Sequence, residues 1–316
     1  MVEGEHGRQP LFPSPLPAPP TQPRNSPWAI LGVVVALALA LTFIVAPGTF
    51  TRTVAGVPLA APTQADDKPN AAAPVAPSST APETPKAQSV TDTNALLNPG
   101  KSLPAVNCKL PAFGKSADQL RNYYQAMIGC LDSAWKPVLE QAHEPFESPS
   151  LNVEDDPVSG CGTPSSEIAV AFYCPKDKTI FMPRNRVVDS MGANQGGHIM
   201  VLAHEYGHHV QMLSGITRGL GYKMGGKDEN SPEYLELTRR MELQADCFSG
   251  MFIGAVSGRG SIGKTLGTSA SGAFRSSVAD KTHGSVKHQI QWGTAGVKNN
   301  NTASCNTWTA ASGDVS

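Results

Sequence analysis

The chain has 316 residues, a formal net charge of −1 and 6% aromatic residues. That length holds one sizeable domain plus appendages. The near-neutral charge, without a basic run or basic–aromatic interleaving, excludes a nucleic-acid-binding protein and gives no field to draw the chain to anionic lipid.

Residues 1–26 are rich in Pro and polar groups (PLFPSPLPAPPTQP). They carry too little apolar surface to form a core and read as a disordered terminus. Residues 27–46 (PWAILGVVVALALALTFIVA) are charge-free over 20 positions, about what a helix needs to cross a hydrocarbon layer of ~30 Å. Trp28 stands where an interfacial anchor would. A cleaved signal peptide and a buried core helix compete with this reading. The long leader with acidic residues argues against the first, and the lack of a polar stripe argues against the second. The expectation is a single-pass membrane protein with one transmembrane helix. Residues 47–100, dominated by Ala, Pro, Ser and Thr, form a semi-rigid linker. The domain occupies 101–316 and its folded part begins near Leu103.

All six cysteines, Cys108, Cys130, Cys161, Cys174, Cys247 and Cys305, follow the apolar run. An even number confined to one domain suits three disulfides in an oxidising compartment, which makes the domain extracytoplasmic. Thiolate ligation of zinc is the rival, but no CxxC pair is present. Buried free thiols are the other alternative. Nearest-neighbour pairing, 108–130, 161–174 and 247–305, is the expected connectivity.

Within the domain, Ser116 and Gln119 form a capping box. Leu120, Tyr124, Met127, Leu131 and Trp135 follow at helical spacing and read as core. Residues 148–165 read as loop. Glu167–Tyr173 and Thr179–Met182 read as two strands joined by CPKDK, hence a hairpin. Such a strand either pairs with an extended peptide or is ordinary sheet. A helix runs over 197–213 and stops at Gly215. Another starts at Ser231 as N-cap, with Pro232 and Glu233 in its first turn, and continues to about Phe252. The Gly- and Ser-rich region from 254 gives no clear periodicity, and the five glycines of 214–230 permit motion there. The fold class is α+β.

The chemistry begins at His204-Glu205-Tyr206-Gly207-His208. On a helix, residues four apart share a face, so His204 and His208 can grip one Zn²⁺ from the same side. Glu205, turned by about 100° from His204, lies beside the metal, where it can take a proton from water. The motif sits in an apolar helix (IMVLAHEYGHHVQML), where unpaired polar groups would be costly. Catalytic zinc usually takes three protein ligands. Glu242, on the second helix, supplies the third. Asp246, four residues on, can bond the distal nitrogen of a ligand histidine, and Ala245 leaves room for the helices to approach. Standing alone, Glu242 and Arg239 would be a solvated charge pair. His209 faces away from the metal and reads either as a partner to a ligand or as structural. His283 either hydrogen-bonds the oxyanion of a reacting peptide or is a loop histidine without a role.

HEYGHHVQ, ELQADCFSG, THGS at 282–285 and a late cysteine, with CG at 161–162 and AFYCP at 171–175, resemble the putative neutral zinc metallopeptidase family of bacterial envelope proteins over roughly 100–308. The resemblance implies a zincin-like metallopeptidase domain, one zinc per chain held by His204, His208 and Glu242, Glu205 as catalytic base, and a peptide or protein substrate. The chain departs from that pattern in MPRNRVV, where an aspartate is expected, and in 257–281, where an acidic pair is expected. A binding or scaffold protein on the same fold is the alternative, and it has no need of a carboxylate at Glu205.

Overall fold

The computed structural model describes residues 91–316. The expected disordered terminus, membrane span and most of the linker lie outside the described residues. Among the described residues no helix is long and apolar enough to cross a membrane.

The folded domain starts earlier than expected. Leu96 and Leu97, placed at the end of the Ala-, Pro-, Ser- and Thr-dominated linker, are buried in the core. They belong to a strap held from several sides. Asn94 Nδ2 donates to the Ser214 carbonyl at 2.8 Å, and Thr302 Oγ1 donates to the Leu96 carbonyl at 2.7 Å. The Asn300 side chain bonds both the amide and the carbonyl of Leu103.

Helix α1 (Ala117–Gln141) opens with the expected capping box of Ser116 and Gln119 and buries Leu120, Tyr124, Met127, Leu131 and Trp135. The sheet has three short strands, β1 (Ser150–Asn152), β2 (Phe172–Cys174) and β3 (Thr179–Phe181), in the order β1-β3-β2. β1 pairs with β3 in parallel, with Leu151 opposite Ile180. β2 pairs antiparallel, with Phe172 opposite Phe181 and their rings stacked at 4.5 Å. The hairpin is therefore present, but its first strand is shorter and later than Glu167–Tyr173. Residues 167–171 turn instead: the amides of Ile168 and Ala169 bond the Ser165 carbonyl, and Arg186 takes the carbonyls of Pro164 and Ala169. Those groups are satisfied by a guanidinium rather than by a ladder. β1, in turn, falls inside the stretch expected to be loop.

Six helices follow, α2 (Arg184–Met191), α3 (Gln195–Leu213), α4 (Ile216–Met224), α5 (Pro232–Val256), α6 (Lys264–Gly272) and α7 (Val286–Asn299). α4 occupies the stretch whose five glycines permit motion, and α6 and α7 occupy the region where no periodicity was legible. α3 starts at Asn194, whose side chain accepts from the Gly197 amide, and gives way at Gly215, which adopts φ +75°. Every residue from Gly196 to Gln211 is buried, so α3 is the central helix, enclosed on every face although it carries four histidines, Glu205 and Gln211. α5 is N-capped by Ser231 as expected and packs against α3 and α7.

Two of the three expected disulfides are formed. Cys161–Cys174 ties the loop before β2 to that strand, and Cys247–Cys305 ties α5 to the 3-10 turn Thr302–Cys305. The third expected bridge is not: Cys108 and Cys130 stand as buried free thiols. They are neighbours, and the Cys130 contact together with burial raises the Cys108 thiol far above its ordinary value. The same contact lowers the Cys130 thiol.

Candidate metal centre

α3 carries His204, Glu205 and His208, and α5 carries Glu242 and Asp246. The two helices come close because Gly207 has no side chain. A Cβ there would lie 3.2 Å from the Cα and carbonyl oxygen of Ala245. Ala245 was expected to make room, and Gly207 is its counterpart.

The approach brings three donor atoms together. Glu242 Oε2 lies 3.2 Å from His204 Nε2 and 3.3 Å from His208 Nε2, and one donor atom from each of the three residues falls within 4.8 Å of the others. Both rings are turned by their outer nitrogens. His204 Nδ1 lies 2.9 Å from Asp246 Oδ1, and His208 Nδ1 lies 2.8 Å from Gln211 Oε1. A proton on each Nδ1 leaves each Nε2 with a bare lone pair. In that tautomer two lone pairs and a carboxylate oxygen face one buried point, an arrangement able to hold a cation. His₂Glu with nitrogen and oxygen donors suits Zn²⁺.

The unpaired atoms agree with a metal site. Both Glu205 oxygens, Glu242 Oε1 and His208 Nε2 are buried without a hydrogen-bond partner. Four such atoms in one place are abnormal for a protein interior and normal for ligands and a base disposed around an ion. Burial pushes the Glu205 carboxyl up to about 7, against the pull of His204 and His208. Burial also acts to raise Glu242, but His208 and His283 outweigh it and hold the carboxyl at about 2. His204 loses basicity through burial and regains more through Asp246 and Glu242, ending well above its ordinary value.

His283 joins the group from the turn before α7. Its Nε2 lies 3.4 Å from Glu242 Oε2, and its Nδ1 lies 2.8 Å from Asp280 Oδ2. Asp280 also accepts from the His283 amide at 2.7 Å. Burial works against ionisation of Asp280, yet the His283 contacts hold it well below the carboxylate range. Segment 257–281, expected to lack the family's acidic pair, thus supplies one acid at its end. Asp280 and Gln211 are the residues that sequence reasoning missed; the spacing D-x-x-H in 280–283 was the available signal for the first. Of its two expected roles His209 takes the structural one: its Nε2 donates to the Glu147 carbonyl at 2.7 Å, and Tyr173 Oη donates to its Nδ1 at 2.8 Å. Arg239 does not pair with Glu242; it donates to the carbonyls of Val315 and Lys281.

An α-rich domain with a small sheet, in which two buried helices bring two histidines and a glutamate to one point, is a zinc-peptidase-like domain. The chain belongs to the family described as putative neutral zinc metallopeptidase, whose model matches residues 91–308. It is 27% identical over 213 residues to the uncharacterized protein YpfJ of Escherichia coli, covering 60% of this chain and 72% of the relative. It is 32% identical over 153 residues to the uncharacterized protein Rv2575 of Mycobacterium tuberculosis, covering 46% of this chain and 43% of the relative. No solved structure matches the chain.

Proposed function

We propose that the protein is a membrane-anchored zinc peptidase that hydrolyses peptide bonds on the extracytoplasmic side of the membrane. The observation that carries this reading is the meeting of His204 Nε2, His208 Nε2 and Glu242 Oε2 beside a buried, unpaired carboxylate, Glu205. His204, His208 and Glu242 would hold the zinc. When bound, zinc supplies Lewis acidity toward water and toward the scissile carbonyl.

The chain's own groups do the rest. Glu205 accepts a proton from the attacking water and delivers it to the departing amine. Asp246 holds His204 in the tautomer that presents Nε2. Asp280 Oδ2, 2.8 Å from Nδ1 of His283, orients the ring, and an Nε2–H on that ring would donate to the carbonyl oxygen as negative charge develops there. The charge-free run at 27–46 supports the anchor. The two disulfides support an oxidising compartment.

The test uses the full-length chain in detergent, with zinc content by elemental analysis and turnover on an unfolded protein substrate. Wild type is expected to carry one zinc per chain. Glu242→Ala is expected to lose the metal. Glu205→Gln is expected to keep it and to lose about 10²–10⁴-fold in turnover, the range of a general acid–base group. Zinc without turnover in wild type favours a scaffold on this fold. Full turnover in Glu205→Gln removes the proposed base.

A further inference from the structure

The two ligand histidines have different partners, and the partner of His208 continues into a buried chain of amides. Gln211 Nε2 donates to the Met241 carbonyl at 2.9 Å and to Gln244 Oε1 at 3.0 Å. Gln244 Nε2 donates to the Cys305 carbonyl at 3.0 Å. Trp308 Nε1 donates to Gln244 Oε1 at 3.3 Å. Both glutamines are wholly buried.

The direction of every bond in this chain is forced from its far end. An indole N–H only donates and a peptide carbonyl only accepts. Trp308 therefore requires an oxygen of Gln244 to face it, and the Cys305 carbonyl requires the Gln244 nitrogen. With its oxygen already turned that way, Gln244 accepts from Gln211, whose nitrogen must also face the Met241 carbonyl. The remaining Gln211 oxygen faces His208 Nδ1, which must carry the proton. His208 Nε2 is left bare toward Glu242. The far end is fixed in place: Cys305 is bonded to Cys247 of α5, and Arg240 of the same helix donates to the Thr307 and Ala310 carbonyls.

We propose that Gln211 and Gln244 are positioning residues for the metal site, a neutral relay through which the C-terminal segment at Cys305 and Trp308 sets the tautomer and orientation of His208. This rests on the reading of His204, His208 and Glu242 as zinc ligands. The relay adds no charge to a centre that already holds Glu205, Glu242 and Asp246, where another buried carboxylate would cost more in desolvation. Two buried amides used only for packing would themselves be unfavourable against apolar residues of similar volume. Their value lies in the polarity they transmit.

The test compares four full-length, disulfide-intact proteins: wild type, Gln211→Met, Trp308→Phe and Ser249→Ala. Ser249→Ala removes a buried bond between the same two helices, Ser249 Oγ to the Met200 carbonyl at 3.0 Å, and touches no ligand. Zinc affinity is read by chelator competition, and solvent exchange of the His208 Nδ1 proton by nitrogen-15 NMR of the zinc-loaded protein. Gln211→Met is expected to bind zinc about tenfold more weakly, the lower end for loss of a ligand's outer partner, and to lose protection of that proton. Trp308→Phe is expected to speed its exchange, and Ser249→Ala to leave both readings at wild-type values. Wild-type affinity in Gln211→Met, or an equal loss in Ser249→Ala, overturns the relay while the zinc site stands. A wild type that takes up no zinc overturns the site itself, and the relay with it.

Discussion

The two sides of the candidate metal centre are supported in opposite ways. On the His204 side a single carboxylate, Asp246, reaches across from α5 and bonds Nδ1 at 2.9 Å. On the His208 side the first partner is an amide of the same helix, Gln211, at 2.8 Å, and the support passes through neutral groups to the C-terminal segment. A carboxylate makes its imidazole a stronger donor to the ion; an amide orients the ring and leaves its charge unchanged. One ligand is tuned by an ion pair in place, the other by a geometry fixed at a distance.

That contrast can be broken in graded steps. Asp246→Asn keeps the shape and removes the charge, and is expected to weaken zinc binding by about 100-fold, the upper end for loss of such a partner. Chelator competition measures it, and a loss no greater than that of Gln211→Met would make the two sides equivalent.

A third histidine of α3 sharpens the comparison, because it has two neutral partners and no metal. Tyr124 Oη donates to His198 Nδ1 at 2.6 Å, and His198 Nε2 donates to the Gly192 carbonyl at 3.1 Å. Burial holds its pKa at about 4, below the ordinary 6.5, despite the Gly192 bond. Between those values the unfolded chain binds a proton that the folded chain refuses, so stability falls as pH drops from 6.5 toward 4. Urea unfolding of the zinc-free protein at pH 7 and pH 5 is expected to show a loss of about 2 kcal/mol from this group. His198→Gln should lose that much less, and an unchanged acid response would show that the ring is already charged in the fold.

The smallest effect concerns what both sides share. Gly207→Ala places a methyl 3.2 Å from the Ala245 backbone and is expected to cost about 1 kcal/mol of stability, as modest overpacking does. Zinc affinity should fall with it, since Glu242 withdraws from both histidines together. Thermal unfolding with and without zinc reads both quantities.

The parts of the site legible in the sequence were those written in helical period. His204, Glu205 and His208 on one helix, and Glu242 and Asp246 four apart on another, follow from spacing alone, and the caps at Ser116 and Ser231 marked where α1 and α5 begin. What stayed hidden depended on contacts between segments distant in sequence. Gln211 stands inside HEYGHHVQ and Gln244 inside ELQAD, yet no local pattern says that they touch each other or the Cys305 carbonyl. Strands of three residues are too short to show alternation, so β1 was missed and β2 placed early. Leu96 and Leu97 were hidden by their neighbours: packing into a core built from distant segments, with the Leu96 carbonyl bonded by Thr302 far along the chain, leaves no trace in TNALLNPG. The 108–130 disulfide expected from nearest-neighbour pairing is not formed, although the two thiols are neighbours.

The strap that opens the domain has a mechanical consequence. Its residues are stitched to the end of α7 and to the turn that follows: Thr302 donates from its amide to the Lys101 carbonyl at 2.8 Å, Lys101 donates back to Thr302 Oγ1 at 2.7 Å, and Asn300 grips Leu103 on both sides. The first segment of the fold and the turn after α7 thus share one seam, and tension applied at residue 91 is carried both by the Asn94 bond to the Ser214 carbonyl at the end of α3 and by that seam. Cys305 lies in the same short turn as Thr302. A tug on whatever precedes the domain is therefore borne in part next to the carbonyl that anchors Gln244, so one joint that resists pulling is also the joint that keeps His208 in register.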